Sequence, residues 1–573
     1  MSALRSGRWV AGDDEVAVLH RAALRTGGVP VGRHETRPVV GVANSASELN
    51  PCNLPLVELA GAVKEGIAAA GGLPVEFPTM SLGEDLMKPS AMLYRNLLAM
   101  EVEESLRAHP LDAVVLLANC DKTVPAMLMG AASADLPAVV VTGGARRPAT
   151  YRGRRIGTGT DLWRLWEQRR KGDLGDAAWD ELEDCLSCER GACNTMGTAS
   201  TMAILAETLG MAMPGSSSIP TGSPEALVAA REAGRRAVAM VSEGLRPSGL
   251  LTPAAFANAV VVLYAIGGST NAVIHLAALA GRVGQRLRPG DLAQMGKGVP
   301  VLADVEPTGS GLMPDFHAAG GVPALLRVIA ELLDLGARSV AGCDLAEVVS
   351  RAPVAGGAIR SLDEPAHPGP AFAALQGNLV PDGAVLRVCT ASPGLLRHEG
   401  PAVVFDGYDD LVGRIDDPDL AVNADSVLVL RGCGPVGAPG MPEWMPPIPS
   451  RLAAAGVEDM VRITDARMSG TSYGTVVLHA APEAAVGGPL ALLRDGDRVR
   501  LDAHQGRLDV LLTTEELGQR AADWRPPVSP HRRGWPALYQ AHVTQAPEGC
   551  DFDFLMPTDD ADRTFVEPTV GRS

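Results

Sequence analysis

Asn119-Cys120-Asp121-Lys122 puts a thiol, a carboxylate and an amine in three adjacent positions. An ionised thiol is a nucleophile and a ligand for soft metals, whereas a carboxylate oxygen suits hard cations. Two other cysteines keep similar company. Cys52 closes the polar stretch Asn44-Ser-Ala-Ser-Glu-Leu-Asn-Pro-Cys52, and Cys193 heads the small-residue run Cys193-Asn-Thr-Met-Gly-Thr-Ala-Ser200. A lone buried cysteine usually behaves as a small hydrophobe, but three at loop ends are together candidates for one metal centre. Cys185 and Cys188 have the C-x-x-C spacing of half a zinc site, which needs a fourth ligand that the sequence does not place. Cys343, Cys389, Cys433 and Cys550 read as structural.

Glu84, Asp121 and Glu443 each lie in a turn-like stretch, Glu443 within Gly437-Ala-Pro-Gly-Met-Pro-Glu-Trp444. Few oxygen ligands drawn from separated loops suit Mg²⁺, which keeps waters or substrate oxygens in its shell; a solvated surface carboxylate is the ordinary alternative for each. Ser469 sits in Asp465-Ala-Arg-Met-Ser-Gly-Thr-Ser-Tyr-Gly474, just after a strand-like run. A Ser–Gly turn there can expose the serine oxygen. The motif is not G-x-S-x-G, and no histidine adjoins it to activate a hydrolytic nucleophile.

Elements that would hold these groups follow from apolar patterning. Ala113–Ala118 reads as a buried strand, residues 125–134 as a small-residue helix and Ala138–Thr142 as a second buried strand. That strand–helix–strand unit leaves residues 119–122 at the carboxyl edge of a sheet, where ligands gather. Upstream, a helix is predicted over residues 15–24, a strand over 39–43, a helix over 54–70, a strand-like entry over 77–84 and a helix over 91–104. Residues 151–183 are charged and predicted helical. Beyond Cys193 the small residues suit a helix N-terminus with amides free for an anion, and helices dominate to about residue 340. From about residue 380 short β-rich runs recur (385–390, 402–405, 426–431, 460–464, 475–479, 498–502 and 507–513), the spacing of a β-barrel or closely packed sheets. The expected architecture is an α/β N-terminal domain (residues 1–384) with parallel sheets flanked by helices, followed by a β-barrel-like C-terminal domain (residues 385–573). The first would carry the cysteines, Glu84, Asp121 and Lys122. The second would carry Glu443 and Ser469 and end in an arm packed on its own or another subunit.

The chain has 573 residues, enough for more than one domain, with 46% hydrophobic and 20% charged residues. A net charge of −17 and the lack of a basic stripe argue against nucleic acid. Basic residues are almost all arginine; Lys64, Lys88, Lys122, Lys171 and Lys297 are the only lysines, which singles out Lys122 beside Cys120. No apolar run is long enough to span a bilayer, and the N-terminus lacks the apolar core of a secretion signal. A cytoplasmic setting is expected, with cysteines reduced, metal-bound or catalytic rather than disulfide-paired.

Taken together, these stretches closely resemble the dihydroxy-acid and sugar-acid dehydratase family. The matching segments are Asn50-Pro-Cys52-Asn, Ser81-Leu-Gly-Glu84, Asn119-Cys-Asp-Lys-Thr-Val-Pro-Ala126, Gly191-Ala-Cys-Asn-Thr-Met-Gly-Thr-Ala-Ser200, Gly267-Gly-Ser-Thr-Asn271, Met441-Pro-Glu-Trp444 and Asp465-Ala-Arg-Met-Ser-Gly470. Ser81-Leu-Gly-Glu84, Met92-Leu-Tyr-Arg-Asn96, Met441-Pro-Glu-Trp444 and Phe552-Asp-Phe-Leu555 are similar to the sugar-acid branch; dihydroxy-acid dehydratases of branched-chain amino-acid synthesis are the alternative. The resemblance implies a [2Fe–2S] cluster, less often [4Fe–4S], on Cys52, Cys120 and Cys193, with three thiolates leaving one iron position open to substrate. It also implies Mg²⁺ near Glu84, Asp121 and Glu443, with Lys122 carbamylated into an anionic ligand. Ser469 would be the base, in alkoxide form, and Thr471 would orient it. The implied activity is loss of water from a sugar acid to give a 2-keto-3-deoxy acid, in a homodimer or homotetramer. A non-catalytic iron–sulfur sensor and a thiol-nucleophile enzyme using Cys120 are the rival classes.

Overall fold

A computed structural model describes residues 4–187, 189–557 and 566–572. Strands β1 (Val39–Asn44), β2 (Leu73–Pro78), β3 (Ala113–Ala118) and β4 (Ala138–Thr142) form one sheet in the order β2-β1-β3-β4, every pairing parallel. All of β3 is buried, as befits a parallel strand covered on both faces; its run Ala-Val-Val-Leu-Leu-Ala has no polar side chain to strand there. The chain steps from β1 outward to β2, then returns to the other side of β1 for β3 and β4. That reversal opens a crevice beyond the carboxyl ends of β1 and β3. Cys52 follows β1 and Cys120 follows β3, so topology alone brings two thiols to one edge.

An N-terminal helix, α1 (Glu15–Thr26), precedes the sheet, and α2 (Leu56–Ala69), α3 (Arg95–Ala108) and α4 (Thr123–Ala134) connect its strands. Only Ser133 of α4 escapes burial. A hairpin, β5 (Ala149–Tyr151) and β6 (Arg154–Ile156), then leads into α5 (Thr160–Lys171) and α6 (Asp176–Leu186). The helical expectation for residues 151–183 therefore holds only from Thr160 onward. Arg152 and Gly153 both take positive φ, 48° and 82°, the two-residue turn that suits hairpins, and helical charge patterning hid it. Helices α7 (Thr198–Thr208), α8 (Pro224–Glu243) and α9 (Asn271–Arg282) follow. Where α2 and α8 cross, their backbones touch: a Cβ on Gly66 would lie 1.9 Å from the Arg231 carbonyl oxygen, and one on Gly234 2.3 Å from that of Val63.

The second lobe is an eight-stranded, nearly closed barrel-like sheet. Its strands are β7 (Phe372–Leu375), β8 (Gly383–Arg387), β9 (Arg397–Asp406), β10 (Val427–Arg431), β11 (Arg462–Thr464), β12 (Val476–Ala481), β13 (Arg498–Asp502) and β14 (Arg507–Val510), in the order β14-β13-β9-β10-β11-β12-β8-β7. Across the seam Gln376 donates its N–H to Gly506 (2.8 Å) and accepts that of Leu508 (3.0 Å), which shields both edge strands. Leu386, Val429, Ile463, Val477, Val499 and Leu508 share one buried cluster. Strand β7 was not anticipated; Phe-Ala-Ala-Leu is too short and alanine-rich to signal a strand.

The C-terminal arm ties the lobes together. Arg95, fully buried, donates to the carbonyls of Gly549 and Cys550 at 2.8 and 2.9 Å, and Arg282 grips the Asp551 carboxylate at 2.5 and 3.0 Å. Toward the barrel, Gln545 donates to Glu483 (2.9 Å) and Gln540 to the Val436 carbonyl (2.7 Å). Among the described residues no helix is long and apolar enough to cross a membrane.

The α2–α8 crossing gives a stability test. Gly66→Ala forces the backbones apart and should cost about 1–3 kcal/mol, read as a lowered unfolding midpoint. Gly61→Ala, in the same helix with open space at its Cβ, should leave the midpoint unchanged or raised. Equal midpoints for the two variants would show that the crossing does not need its glycine.

Candidate active site

The loops beyond the sheet are stapled by two buried asparagines. Asn119 donates to the carbonyls of Cys52 (2.7 Å) and Gly144 (3.0 Å), so one side chain joins the loops after β1, β3 and β4. Gly143 is the only residue type that fits beside it, because a Cβ there would meet the Asn119 amide at 2.9 Å. Asn53 accepts the Cys120 N–H at 3.0 Å and donates to the Ser45 carbonyl at 3.1 Å. Cys193 arrives on a strip bonded to the same edge, with Gly191 N–H donating to Pro51 and Ala192 N–H to Gly144. Cys52, Cys120 and Cys193 lie close enough for charges on the three to interact. Contact with Cys120, then burial, pushes the Cys52 thiol well above its ordinary range. Burial pushes Cys193 up to about 12, against the pull of Arg146. Left alone such thiols stay protonated, and any group that binds thiolates must displace those protons.

Lys122, at the N-terminal end of α4, is fully buried. Its ammonium lies 2.8 Å from Glu443 Oε1, 3.0 Å from Glu84 Oε2 and 3.5 Å from Asp121 Oδ2. Burial and Arg467 favour the neutral amine, but the three carboxylates outweigh them and hold its pKa above the ordinary lysine value. Asp121 moves to about 6, because burial outweighs the attraction of Lys122 and the neighbouring carboxylates reinforce the rise. Glu443 goes the other way: against its burial, Lys122 and Arg467 hold it down at about 2. Among the described residues no three His, Cys, Asp or Glu side chains converge on one point at ion-binding range; between the carboxylates that place is taken by the Lys122 ammonium.

Glu443 belongs to the barrel lobe and is fixed from two sides. Asn271, the first residue of α9, and Arg467 each donate to Oε1 at 2.8 Å. Arg467 is itself fully buried and also donates to the Met441 carbonyl (2.7 Å), Asn271 Oδ1 (3.2 Å) and Ser90 Oγ (2.9 Å). Ser90 in turn donates to Glu84 at 3.3 Å. Arg387, in β8, donates to the carbonyls of Gly470 (2.8 Å) and Gly267, strapping the Ser469 loop to the turn that precedes Asn271.

Ser469 and the buried Thr471 form a hydroxyl pair, Oγ to Oγ1 2.9 Å, and Ser469 lines a cleft of about 1050 Å³ with Glu84, Glu443, Trp163 and Trp444. Serine and carboxylates from opposite lobes thus face one space. Cys185 is on α6, its thiol donating to the Thr150 carbonyl at 3.4 Å; Cys188 lies outside the described residues. Cys433 and Cys550 are buried. Residue chemistry did not single out Arg467, Asn271 or Ser90. The first two, like Asn53, lie inside stretches that carried the family resemblance, which was the available signal; Ser90 and Arg387 had none.

Comparison with known proteins finds two family domains in the chain. Residues 37–348 match the dihydroxy-acid/6-phosphogluconate dehydratase N-terminal family, and residues 357–550 match its C-terminal counterpart. The chain is 48% identical to 6-deoxy-6-sulfo-D-gluconate dehydratase of Pseudomonas putida over 557 residues, 96% of each chain. It is 47% identical to L-arabonate dehydratase of Azospirillum brasilense over 566 residues, 97% of each. Identity to the dihydroxy-acid dehydratase of Acetivibrio thermocellus is 36% over 540 residues, 92% of this chain and 96% of that one.

Removing one partner from a buried ion network leaves the others uncompensated. Arg467→Met should therefore destabilise the protein by about 3–5 kcal/mol, and Arg467→Lys should not restore it, because an ammonium cannot serve four acceptors in a planar fork. Denaturant unfolding checks this; a loss below about 1 kcal/mol would show that Glu443 does not depend on the arginine.

Proposed function

This chain belongs to the dihydroxy-acid/6-phosphogluconate dehydratase family, and from that premise we propose that it removes water from a sugar acid, an aldonate such as arabinonate, xylonate or gluconate, to give the 2-keto-3-deoxy acid. The observation that carries this reading is the shared cleft: Ser469 lines the same space as Glu84 and Glu443, the two carboxylates that lie 3.0 and 2.8 Å from the Lys122 ammonium. Identity to the relatives named as sugar-acid dehydratases, 48% and 47%, against 36% to a dihydroxy-acid dehydratase, supports a sugar acid over the branched-chain substrate.

The donor sets fit the groups that such chemistry uses. Cys52, Cys120 and Cys193 would hold a [2Fe–2S] cluster, thiols being the ligands iron–sulfur clusters take. Glu84, Asp121 and Glu443 offer the hard oxygens that suit Mg²⁺, and Glu84 Oε2 is buried with no hydrogen bond beyond its ion pair to Lys122. Carbamylation of Lys122, its neutral amine adding to CO₂ with loss of a proton, would make it a fourth anionic ligand. When bound, the two groups would supply Lewis acidity toward the departing 3-hydroxyl and positive charge beside the substrate carboxylate and 2-hydroxyl.

The chain's own residues do the rest. Ser469 takes the C2 proton, the hard step, because negative charge then builds beside a carboxylate. To act as a base its oxygen must be anionic, and both the Thr471 hydroxyl (2.9 Å) and main-chain N–H (3.4 Å) lie against it. Donors aimed at an oxyanion favour that form. Arg467 and Asn271 hold Glu443 in place. The enol released tautomerises to the ketone unaided. The working unit is both lobes in a homodimer or homotetramer, the barrel lobe starting ahead of β7 (Phe372–Leu375) rather than at residue 385, which would cut β8. Cluster thiolates require a reducing compartment, which supports a cytoplasmic setting.

Ser469→Ala should lower turnover by about 10²–10⁴-fold in anaerobically purified protein, with the visible absorption of the cluster unchanged; retained activity would remove Ser469 from the reaction. In a panel of C5 and C6 aldonates with 2,3-dihydroxyisovalerate included, 2-keto acid should form faster from an aldonate. Preference for dihydroxyisovalerate would reassign the substrate. Activity should also fall in proportion to iron removed by chelation, and a colourless, fully active preparation would refute the cluster.

A further inference from the structure

Trp163 stands on the cleft wall, one turn into α5, with 39% of its surface exposed. Its indole N–H donates to Thr471 Oγ1 at 2.9 Å, and Thr471 Oγ1 lies 2.9 Å from Ser469 Oγ. An indole nitrogen can only donate, whereas a threonine hydroxyl has one proton and two lone pairs. With a lone pair of Thr471 taken by Trp163, its proton is directed toward Ser469. When Ser469 is the base its oxygen has no proton to give, and Thr471 alone can supply one between them. The line of donors then runs one way: Trp163 to Thr471 to Ser469.

The surroundings hold this line in register. Thr160, at the start of the same helix, donates its hydroxyl to the Thr471 carbonyl at 3.0 Å, so α5 grips both the backbone and the side chain of Thr471. Gly159, at φ 90°, makes room: a Cβ there would sit 2.5 Å from Thr471 Oγ1. Gly470, between the two hydroxyl residues, is seated against Ser269, which a Cβ would meet at 2.7 Å. Arg164, next on the helix, pairs with Glu306 at 3.0 Å and lies over the Tyr473 ring at 5.8 Å, fixing the helix to the loop that carries Ser469.

We propose that Trp163 is a positioning residue for the dehydration, its indole N–H setting the direction of the Thr471 hydroxyl so that Thr471 donates to the Ser469 oxygen. The inference rests on the reading of Ser469 as the base. Its role is distinct from walling the cleft: a wall acts on substrate binding, whereas donor direction acts on the step in which Ser469 is anionic. Donors polarise one another along such a chain, so an indirect donor should contribute less than the 10²–10³-fold of a direct one.

The test uses cluster-loaded, anaerobically purified enzyme and whichever of L-arabonate, xylonate and gluconate the unmodified chain dehydrates fastest. Trp163→Phe keeps an aromatic ring and removes the N–H. The expected result is a fall in kcat of about tenfold, KM within about twofold, and the cluster absorption and melting midpoint unchanged. Thr471→Val breaks the line one residue later, so the double variant should be no slower than Thr471→Val alone. An unchanged kcat for Trp163→Phe, a loss confined to KM, or losses that multiply in the double variant would each overturn the proposal. Ser469→Ala, run alongside, separates the two failures. If it is inactive while Trp163→Phe is normal, only the donor line is wrong; if it is active, the base assignment itself has failed.

Discussion

A lysine ammonium with no exposed surface is the constraint that the rest of the structure answers to. An unpaired charge in a protein interior is so costly that the group would rather lose its proton. Lys122 keeps it because Glu84, Asp121 and Glu443 all reach its nitrogen within 3.5 Å. Three carboxylates crowded together repel one another, and Arg467 supplies the second cation that makes the crowding tolerable. Glu443 receives both cations and is held firmly ionised. Asp121, with Lys122 as its cation and Glu443, Glu84 and the neighbouring Asp85 around it, is the member whose pKa rises, chiefly through burial. A site with more anionic oxygen than cation is poised for further positive charge.

That arrangement requires two lobes. Glu84 and Lys122 come from loops around the parallel sheet, Glu443 and Arg467 from loops of the barrel. Neither lobe could bury its share alone. The lobes are accordingly locked at points away from the charges: Arg387 spans the Gly470 and Gly267 carbonyls, and the C-terminal arm is gripped by Arg95 and Arg282 on one side and by Glu483 on the other. Each of these arginines is buried and reaches across to carbonyls or a carboxylate, so the interface carries fixed geometry rather than loose surface ion pairs. The gain is positional. Ser469 and Glu443, from the barrel, open onto one cleft with Glu84, from the parallel-sheet lobe.

The parallel sheet contributes a second kind of order. Its reversal between β1 and β3 creates the edge where Cys52 and Cys120 meet, and Asn119 and Asn53 convert proximity into a defined loop arrangement through main-chain carbonyls and amides. Thiols thus gather at the sheet edge, with a carboxylate and an ammonium one and two residues further along, at Asp121 and Lys122.

Much of this was legible before any coordinates. Unbroken apolar runs marked β3 and β4 to the residue, and regular β-rich spacing after residue 380 marked a barrel-like lobe. Local patterning records whether an element is buried, because burial on two faces forbids polar side chains throughout. It failed where the cue was weaker than its surroundings: the Arg152-Gly153 hairpin within a charged stretch, and the four-residue β7. The motifs that resembled a family named the cysteines, the carboxylates and Ser469, but residue chemistry gave no means of pairing them. Lys122 and Glu443 are 321 residues apart, and nothing in either neighbourhood encodes the other. Residue chemistry could not single out the partners Arg467, Asn271 and Trp163 for the same reason. A hydrogen bond depends on position and direction in space, and the chain acquires both only when the lobes have closed on each other. Sequence by itself determined which segments are strands, helices and polar loops; the tertiary structure alone decided which of those loops would meet around one buried charge.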